Sequence, residues 1–320
     1  MAYTTYADIL DPEVLMATIG ENWLYGANLI NSGIIGVDSL PLKGTLTSEI
    51  RQKVLQNRTG QALNPGDTIS GAKREQEKAS MPVLWRYDRI EEPDPIEEII
   101  DTEIPQINAD FAGEIQRASI QYVDDSFVKI IEGIGAALTA NQYDGSGSEI
   151  SLAAIAATKT KVGDKVRNLD GGAMVVSSAK YWKLVSLGLV AATSNTFGNM
   201  AQDMMVREGT LPVTVVGFTP VVTDKLAAAP ASDYYTYLVG RNQVVARGGV
   251  RPIIKINEID GKFSTEIKFY VRYGLGCSGM KWGASASAKV TDTDLSTSTN
   301  WSLATNCNSN DVTIFRMRTD

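Results

Sequence analysis

The sequence contains no histidine. That absence removes Ser-His-Asp and Cys-His catalysis, histidine-ligated zinc sites and the side chain that titrates nearest neutral pH. Most hydrolase chemistry goes with it. Cysteine is scarce as well: Cys277 and Cys307 are too few for a disulfide framework, and a cytoplasmic site of synthesis would keep both reduced. No apolar run reaches the roughly 18 residues of a membrane span, and Met1–Asp8 has no basic region followed by an apolar stretch, so neither a spanning helix nor a secretory signal is expected. A surplus of basic residues is also missing. Formal net charge is -7 and the isoelectric point about 4.9. This argues against a protein that grips nucleic acid, because such affinity comes mostly from Lys and Arg neutralising phosphates. An acidic surface can still enclose DNA without holding it.

What is present describes a folded protein. With 320 residues, 43% of them hydrophobic, the chain can bury a sizeable core. It exceeds what one compact core usually organises, so two packed lobes, or one lobe with long extensions, are expected. Local enzymatic signals are weak. Asp144-Gly145-Ser146-Gly147-Ser148 lacks the GKS or GKT ending of a phosphate loop and reads as a connector. The acidic pairs Glu97-Glu98 and Asp124-Asp125 are sequence neighbours, which on a helix point in different directions, so they read as solvated faces rather than catalytic dyads. Lys159-Thr160-Lys161 reads as surface lysines in a polar helical stretch.

The organisation along the chain is more telling. Residues 1–42 hold short apolar runs, such as Val14-Leu15-Met16 and Ile34-Ile35-Gly36-Val37, separated by turn formers, and suggest an arm that lies on something else. Residues 43–80 follow as a polar stretch that cannot build its own core, with a turn-rich tip, Asn57 to Asp67, and flanking runs of strand character such as Met81 to Tyr87. This predicts a projecting two-stranded loop, and an ordered projection needs a partner surface. Its charge is distinctive. Residues 43–89 carry nine basic against five acidic residues, a net +4, whereas residues 91–103 carry seven acids and no base. Complementary potentials of this kind favour a loop of one copy lying over the acidic segment of the next. The candidate contact residues are therefore Lys53, Arg58, Lys73, Arg74 and Lys78 on the loop, and Glu91, Glu92, Asp94, Glu97 and Glu98 on the acidic segment.

A strong helical pattern comes next. Ile100, Ile104, Ile107, Phe111, Ile115, Ala118 and Tyr122 recur at spacings of three and four, and Phe127, Ile130, Ile131 and Ile134 continue the apolar face toward Leu138. Pro105 fits a first turn, so a helix over about 105–138 is expected, roughly 50 Å long at 1.5 Å per residue. Beyond the connector the pattern becomes mixed α/β: a helix over Ser151–Val166, a strand Ala173–Val176, a short helix capped by Ser177 or Ser178, and strands at 211–216, 219–222, 234–238 and 243–246. Asp260-Gly261 then sits between strand-like runs over 252–273, a strong hairpin signal whose length suits a ribbon packed along the long helix.

Several stretches, in this order, resemble the major capsid (coat) proteins of tailed phages with the Hong Kong 97-type fold. They are Asn31-Ser32-Gly33-Ile34-Ile35 with Asp38, Pro93-Asp94-Pro95-Ile96, Lys161-Val162-Gly163-Asp164-Lys165 with Asn168-Leu169, and Met174 to Leu184. Val213 to Val216 leading to Val221-Val222-Thr223-Asp224, then Tyr235 to Leu238, Trp282-Gly283-Ala284 and Thr299-Asn300-Trp301, complete the set. The resemblance implies an α+β chain with an N-terminal arm (1–42), an extended E-loop (43–90), a peripheral domain (91–149 and 250–320) holding the long helix and the ribbon, and a mixed α/β axial domain (150–249). It implies a non-enzymatic shell-former with no cofactor or metal, assembling with itself as hexamers and pentamers into an icosahedral head in the host bacterial cytoplasm. Portal, scaffold and cement proteins would be its further partners, DNA would be enclosed without sequence-specific binding, and no membrane would be involved. Some members of the family form an isopeptide crosslink between a loop lysine and an asparagine; no residue here matches that motif, so no crosslink is expected. An encapsulin-like compartment shares the fold and is the alternative. A carboxylate-dependent hydrolase is a remote one, since no pair of facing acids suggests it.

Overall fold

The computed structural model describes residues 6–19, 34–38, 42, 47–53, 76–93, 104–163, 169, 172–186, 190–191, 214–215, 217–227, 233–248, 252–259, 262, 264–283, 289–305 and 307–320. The chain opens with helices α1 (Tyr6–Ile9) and α2 (Pro12–Ile19), then strands β1 (Ile35–Asp38), β2 (Thr47–Lys53) and β3 (Gln76–Pro93). Helix α3 (Ile104–Ala137) follows, and β4 (Gln142–Gly145), α4 (Leu152–Thr160), β5 (Ala173–Val176), α5 (Ser178–Ser186), β6 (Val190–Ala191) and β7 (Thr214–Val215) come after it. The remainder comprises β8 (Thr219–Val222), β9 (Tyr234–Val239), β10 (Val244–Gly248), β11 (Ile253–Glu258), β12 (Ser264–Cys277), β13 (Met280–Trp282), α6 (Asp292–Ser296), β14 (Trp301–Leu303) and β15 (Ile314–Thr319). Among the described residues no helix is long and apolar enough to cross a membrane.

Two sheets flank α3. The first runs β1-β10-β12-β3-β2, with β11 also paired to β12; the second runs β4-β15-β9-β5-β8. The 34 residues of α3 span about 50 Å and carry a stripe, Ile115, Val123, Phe127, Ile130, Ile131 and Ile134, in which every residue is fully buried. Ile267, Phe269, Val271 and Tyr273 of β12 join the same core, as do Tyr237 of β9 and Ile314 of β15. The helix therefore seats both sheets. Two glycines bring its backbone close to its neighbours: a Cβ at Gly133 would lie 2.1 Å from the Leu295 carbonyl oxygen, and one at Gly135 would lie 2.7 Å from Tyr237. A smaller core holds Ile155, Met174, Val176, Tyr181, Leu184 and Phe315 between the second sheet and helices α4 and α5.

Local signals translate as expected in most places. Helix α3 begins one residue before Pro105, Ser151 caps α4 by accepting from the Ala154 N–H at 3.2 Å, and Thr291 with Asp294 forms a capping box on α6. Strands β11 and β12 pair from Ile253↔Tyr270 to Glu258↔Thr265 as the expected hairpin, although Asp260 and Gly261 lie outside the described residues. The expected helix over Ser151–Val166 stops at Thr160, ahead of Gly163 at a φ of 61°.

Other expectations are corrected. The base of the expected loop joins the core: Ala79, Met81, Val83 and Leu84 are buried, because the second half of β3 is a full member of the first sheet beside β12. The arm does not lie wholly elsewhere, since Leu10, Leu15 and Ile19 are buried against the chain's own core. Sheet partners are drawn from distant parts of the chain. Strand β15, from the far end of the chain, inserts between β4 and β9 in the second sheet, whereas β10 pairs with β1 and β12 in the first.

Candidate intersubunit interface

The β2–β3 hairpin carries the loop side of the sequence-derived contact. Its register sets Thr47 opposite Pro82 and Lys53 opposite Gln76, and it sets Arg51 opposite Lys78 on one rung. Lys53 and Lys78 thus fall on the two arms of the hairpin, while Arg58, Lys73 and Arg74 lie outside the described residues.

The acidic side divides. Asp94, Glu97 and Glu98 lie outside the described residues, and strand alternation sends Glu91 and Glu92 to opposite faces of the first sheet. Glu91 is already engaged within its own chain: Lys262 Nζ donates to it at 2.8 Å, and Arg89 Nη2 lies 3.5 Å away. The Lys262 hydrogen bond, followed by the Lys262 charge, holds its carboxyl below the usual carboxylate range. Glu91 thus has ion-pair partners within its own chain.

Glu92 faces the other way, into an open groove of about 530 Å³ between the end of β3 and the early turns of α3. Asp110 and Glu114, one helical turn apart and both exposed, line the same groove with Phe111, Gly113 and Arg117. A Cβ at Gly113 would meet nothing within 4 Å, so a partner side chain can approach the helix backbone there. Three carboxylates around an open cleft make an acceptor for a long basic side chain. Sequence reasoning reached Glu92 and missed Asp110 and Glu114. Their spacing of four along the polar face of the helix was the available signal, but nothing in the sequence brings that face to the end of β3.

In the acidic pair Asp124-Asp125 both residues are partly buried, and Asp124 Oδ1 is shielded from solvent. Asp125 Oδ2 accepts from Lys225 Nζ at 3.4 Å, which leaves it in an ion pair rather than a dyad. Cys277 is buried, and burial pushes its thiol up to about 12, the character of an inert core cysteine.

Comparison with known proteins accords with this geometry. A family model described as major capsid protein 13-like (Gp13-like) matches residues 96–310, about two-thirds of the chain. No curated protein matches by sequence. Among solved structures, the capsid of Ralstonia phage GP4 superposes with a TM-score of 0.54 at 11% identity, covering 90% of this chain and 87% of that one. The capsid asymmetric unit of cyanophage Pam1 gives 0.51 at 10% identity, over 87% of this chain and 85% of that one. A structure of Microbacterium phage Oxtober96 gives 0.50 at 11% identity, over 92% and 91%. With the long helix between two sheets and the β2–β3 hairpin leaving the first of them, these matches establish that the chain belongs to the major capsid protein 13-like family and has the Hong Kong 97-type capsid fold.

Proposed function

We propose that copies of this chain form hexamers and pentamers through the axial unit, residues 150–249, and join these capsomers through the peripheral unit, 91–149 and 250–320, into an icosahedral head enclosing phage DNA. The role is structural rather than catalytic, and DNA is enclosed without sequence-specific contact. The arm (1–42) and the loop (43–90) secure neighbours. Portal, scaffold and cement proteins complete such a head, and synthesis and assembly take place in the bacterial cytoplasm. Affinity comes from many repeated contacts rather than from one tight site.

The observation that carries the intersubunit part of this reading is one of complementarity. A chain with net charge -7 presents a hairpin with Arg51 and Lys78 on one rung, and elsewhere a groove walled by Glu92, Asp110 and Glu114. The basic loop of one copy lies in the acidic groove of the next, with Lys53, Arg58, Lys73, Arg74 and Lys78 as the donating set and Glu91, Glu92, Asp94, Glu97 and Glu98 among the acceptors. Electron microscopy of the purified protein tests the whole: closed polyhedral shells are expected, and a persistent monomer overturns the proposal. Replacing Asp110 and Glu114 together by lysine tests the groove. Folded subunits that no longer close shells are expected, and unchanged assembly would remove the groove from the interface.

A further inference from the structure

The first sheet has a face that α3 does not cover. Inward residues of the ribbon, Ile254, Ile267, Phe269, Val271 and Tyr273, enter the core, so alternation turns Trp85, Tyr87, Ile253 and Tyr270 outward. Trp85 is 41% exposed, Tyr87 55% and Ile253 49%. They adjoin one another. The register sets Tyr270 opposite both Tyr87 and Ile253, the Tyr87 and Tyr270 rings lie 5.7 Å apart, and the Arg272 guanidinium stands 5.1 Å from the Trp85 ring. Lys255, Lys268 and Arg89 occupy the next rung, and Lys262 follows at the turn, against two carboxylates, Glu91 and Glu266, that are both ion-paired within the ribbon. The patch is aromatic, aliphatic and net cationic on a net anionic chain. Trp, Tyr and Arg around a desolvatable centre is the composition of interface hot spots.

The chain also carries the complementary surface. Residues 1–42 hold five acids, Asp8, Asp11, Glu13, Glu21 and Asp38, and no lysine or arginine. Helix α2 buries Leu15 and Ile19 inward and turns Glu13, Val14 and Ala17 to the outside, with Asp11 exposed just ahead of its first residue and Val14 46% exposed. An aliphatic side chain flanked by carboxylates matches an aromatic and aliphatic patch flanked by cations.

We infer that the outer face of the ribbon, centred on Trp85, Tyr87 and Ile253, is the docking surface for the exposed acidic face of helix α2 of a second copy. The contact is heterologous, each copy giving its ribbon to one neighbour and its arm helix to another, a head-to-tail pattern that forms a ring when its rotation closes. It rests on the reading that the arm secures neighbours, and it uses a face of the molecule different from the groove at Glu92.

The test uses the full-length protein. Glu13→Lys and Lys255→Glu, both at exposed positions, are each expected to raise the concentration needed for shell assembly about tenfold, with the thermal unfolding of free subunits unchanged. An equimolar mixture of the two variants lets a lysine arm meet a glutamate ribbon and a glutamate arm meet a lysine ribbon, and is expected to assemble at a lower concentration than either variant alone. As a second measurement, Val14→Cys combined with Ile253→Cys should give a ladder of covalent multimers after oxidation of assembled protein, absent in either single variant. Assembly of both single variants at parental concentrations, failure of the mixture to recover, or a doubly substituted protein that stays monomeric on denaturing gels would overturn the contact. Loss of assembly in the groove variants alone would leave the loop reading standing without it.

Discussion

The Tyr273 hydroxyl donates to the backbone carbonyl of Tyr122 at 2.9 Å and lies 2.9 Å from Ser126 Oγ, which ties the central strand of the ribbon to the long helix. Arg86 Nη2 donates to the same Ser126 oxygen at 2.9 Å and also pairs with Asp292 of α6. The contact is buried, so its loss is not compensated by water. Tyr273→Phe is expected to lower subunit stability by about 1–2 kcal/mol, read as a lower urea midpoint at an unchanged slope.

The same hydroxyl sets an alkaline limit. Burial pushes the Tyr273 phenol up to about 12 from an ordinary value of 10.0, and Tyr237 moves in the same direction, chiefly through burial. A raised folded-state value means that the unfolded chain ionises first. The stability tied to Tyr273 is whole below about pH 10 and is lost as pH climbs toward about 12. Urea midpoints should fall across that interval, and less steeply in Tyr273→Phe; an equal fall in both proteins would assign the alkaline loss to other groups.

Two glycines in α3 separate packing from propensity. Alanine favours a helix interior over glycine by about 1 kcal/mol. At Gly113, where a Cβ meets nothing within 4 Å, Gly113→Ala should raise the melting temperature of the free subunit by a few degrees. At Gly133 the new methyl would lie 2.1 Å from the Leu295 carbonyl oxygen and 2.9 Å from Trp301 Nε1. Trp301 Nε1 donates to that carbonyl at 2.8 Å, so the methyl would also break a buried hydrogen bond. Gly133→Ala should cost about 3 kcal/mol despite its better propensity. Calorimetry of the two variants side by side checks the opposite signs.

Cys277 and Cys307 should differ in reactivity. Cys277 is buried with its thiol pushed up to about 12, whereas Cys307 is partly exposed. In native protein a disulfide exchange reagent should titrate Cys307 rapidly and reach Cys277 only after denaturation. Fast reaction of both thiols in native buffer would show that the ribbon's inner end opens readily.

Some of this architecture is written locally. The apolar recurrence at three and four residues gives α3 to within a residue at each end, because a helix face repeats with its own period whatever it packs against. The ribbon strands are legible for the same reason, and the serine before α4 announces its cap. Partners are another matter. A strand's pattern says that a face is buried, not which strand lies beside it. So β15 beside β4, some 170 residues distant, and β1 beside β10, some 200 distant, were beyond periodicity. The interface shows the same division. Charge segregation pointed to residues 91–103, yet it could not tell Glu91, neutralised by Lys262, from Glu92, which opens onto the groove.

The sequence by itself determined that histidine chemistry is excluded, that a long amphipathic helix and a β-ribbon exist, and that basic and acidic segments lie next to each other in the chain. These properties depend on composition and on spacing within one element. Only the tertiary structure decided that Asp110 and Glu114 share a groove with Glu92, that Trp85, Tyr87 and Ile253 form one outward patch, and that helix α2 rests on its own core with its acidic side free to face outward. The reason is that such sites are assembled from residues far apart in the chain, and their proximity is fixed by sheet register and helix packing, which no local pattern encodes.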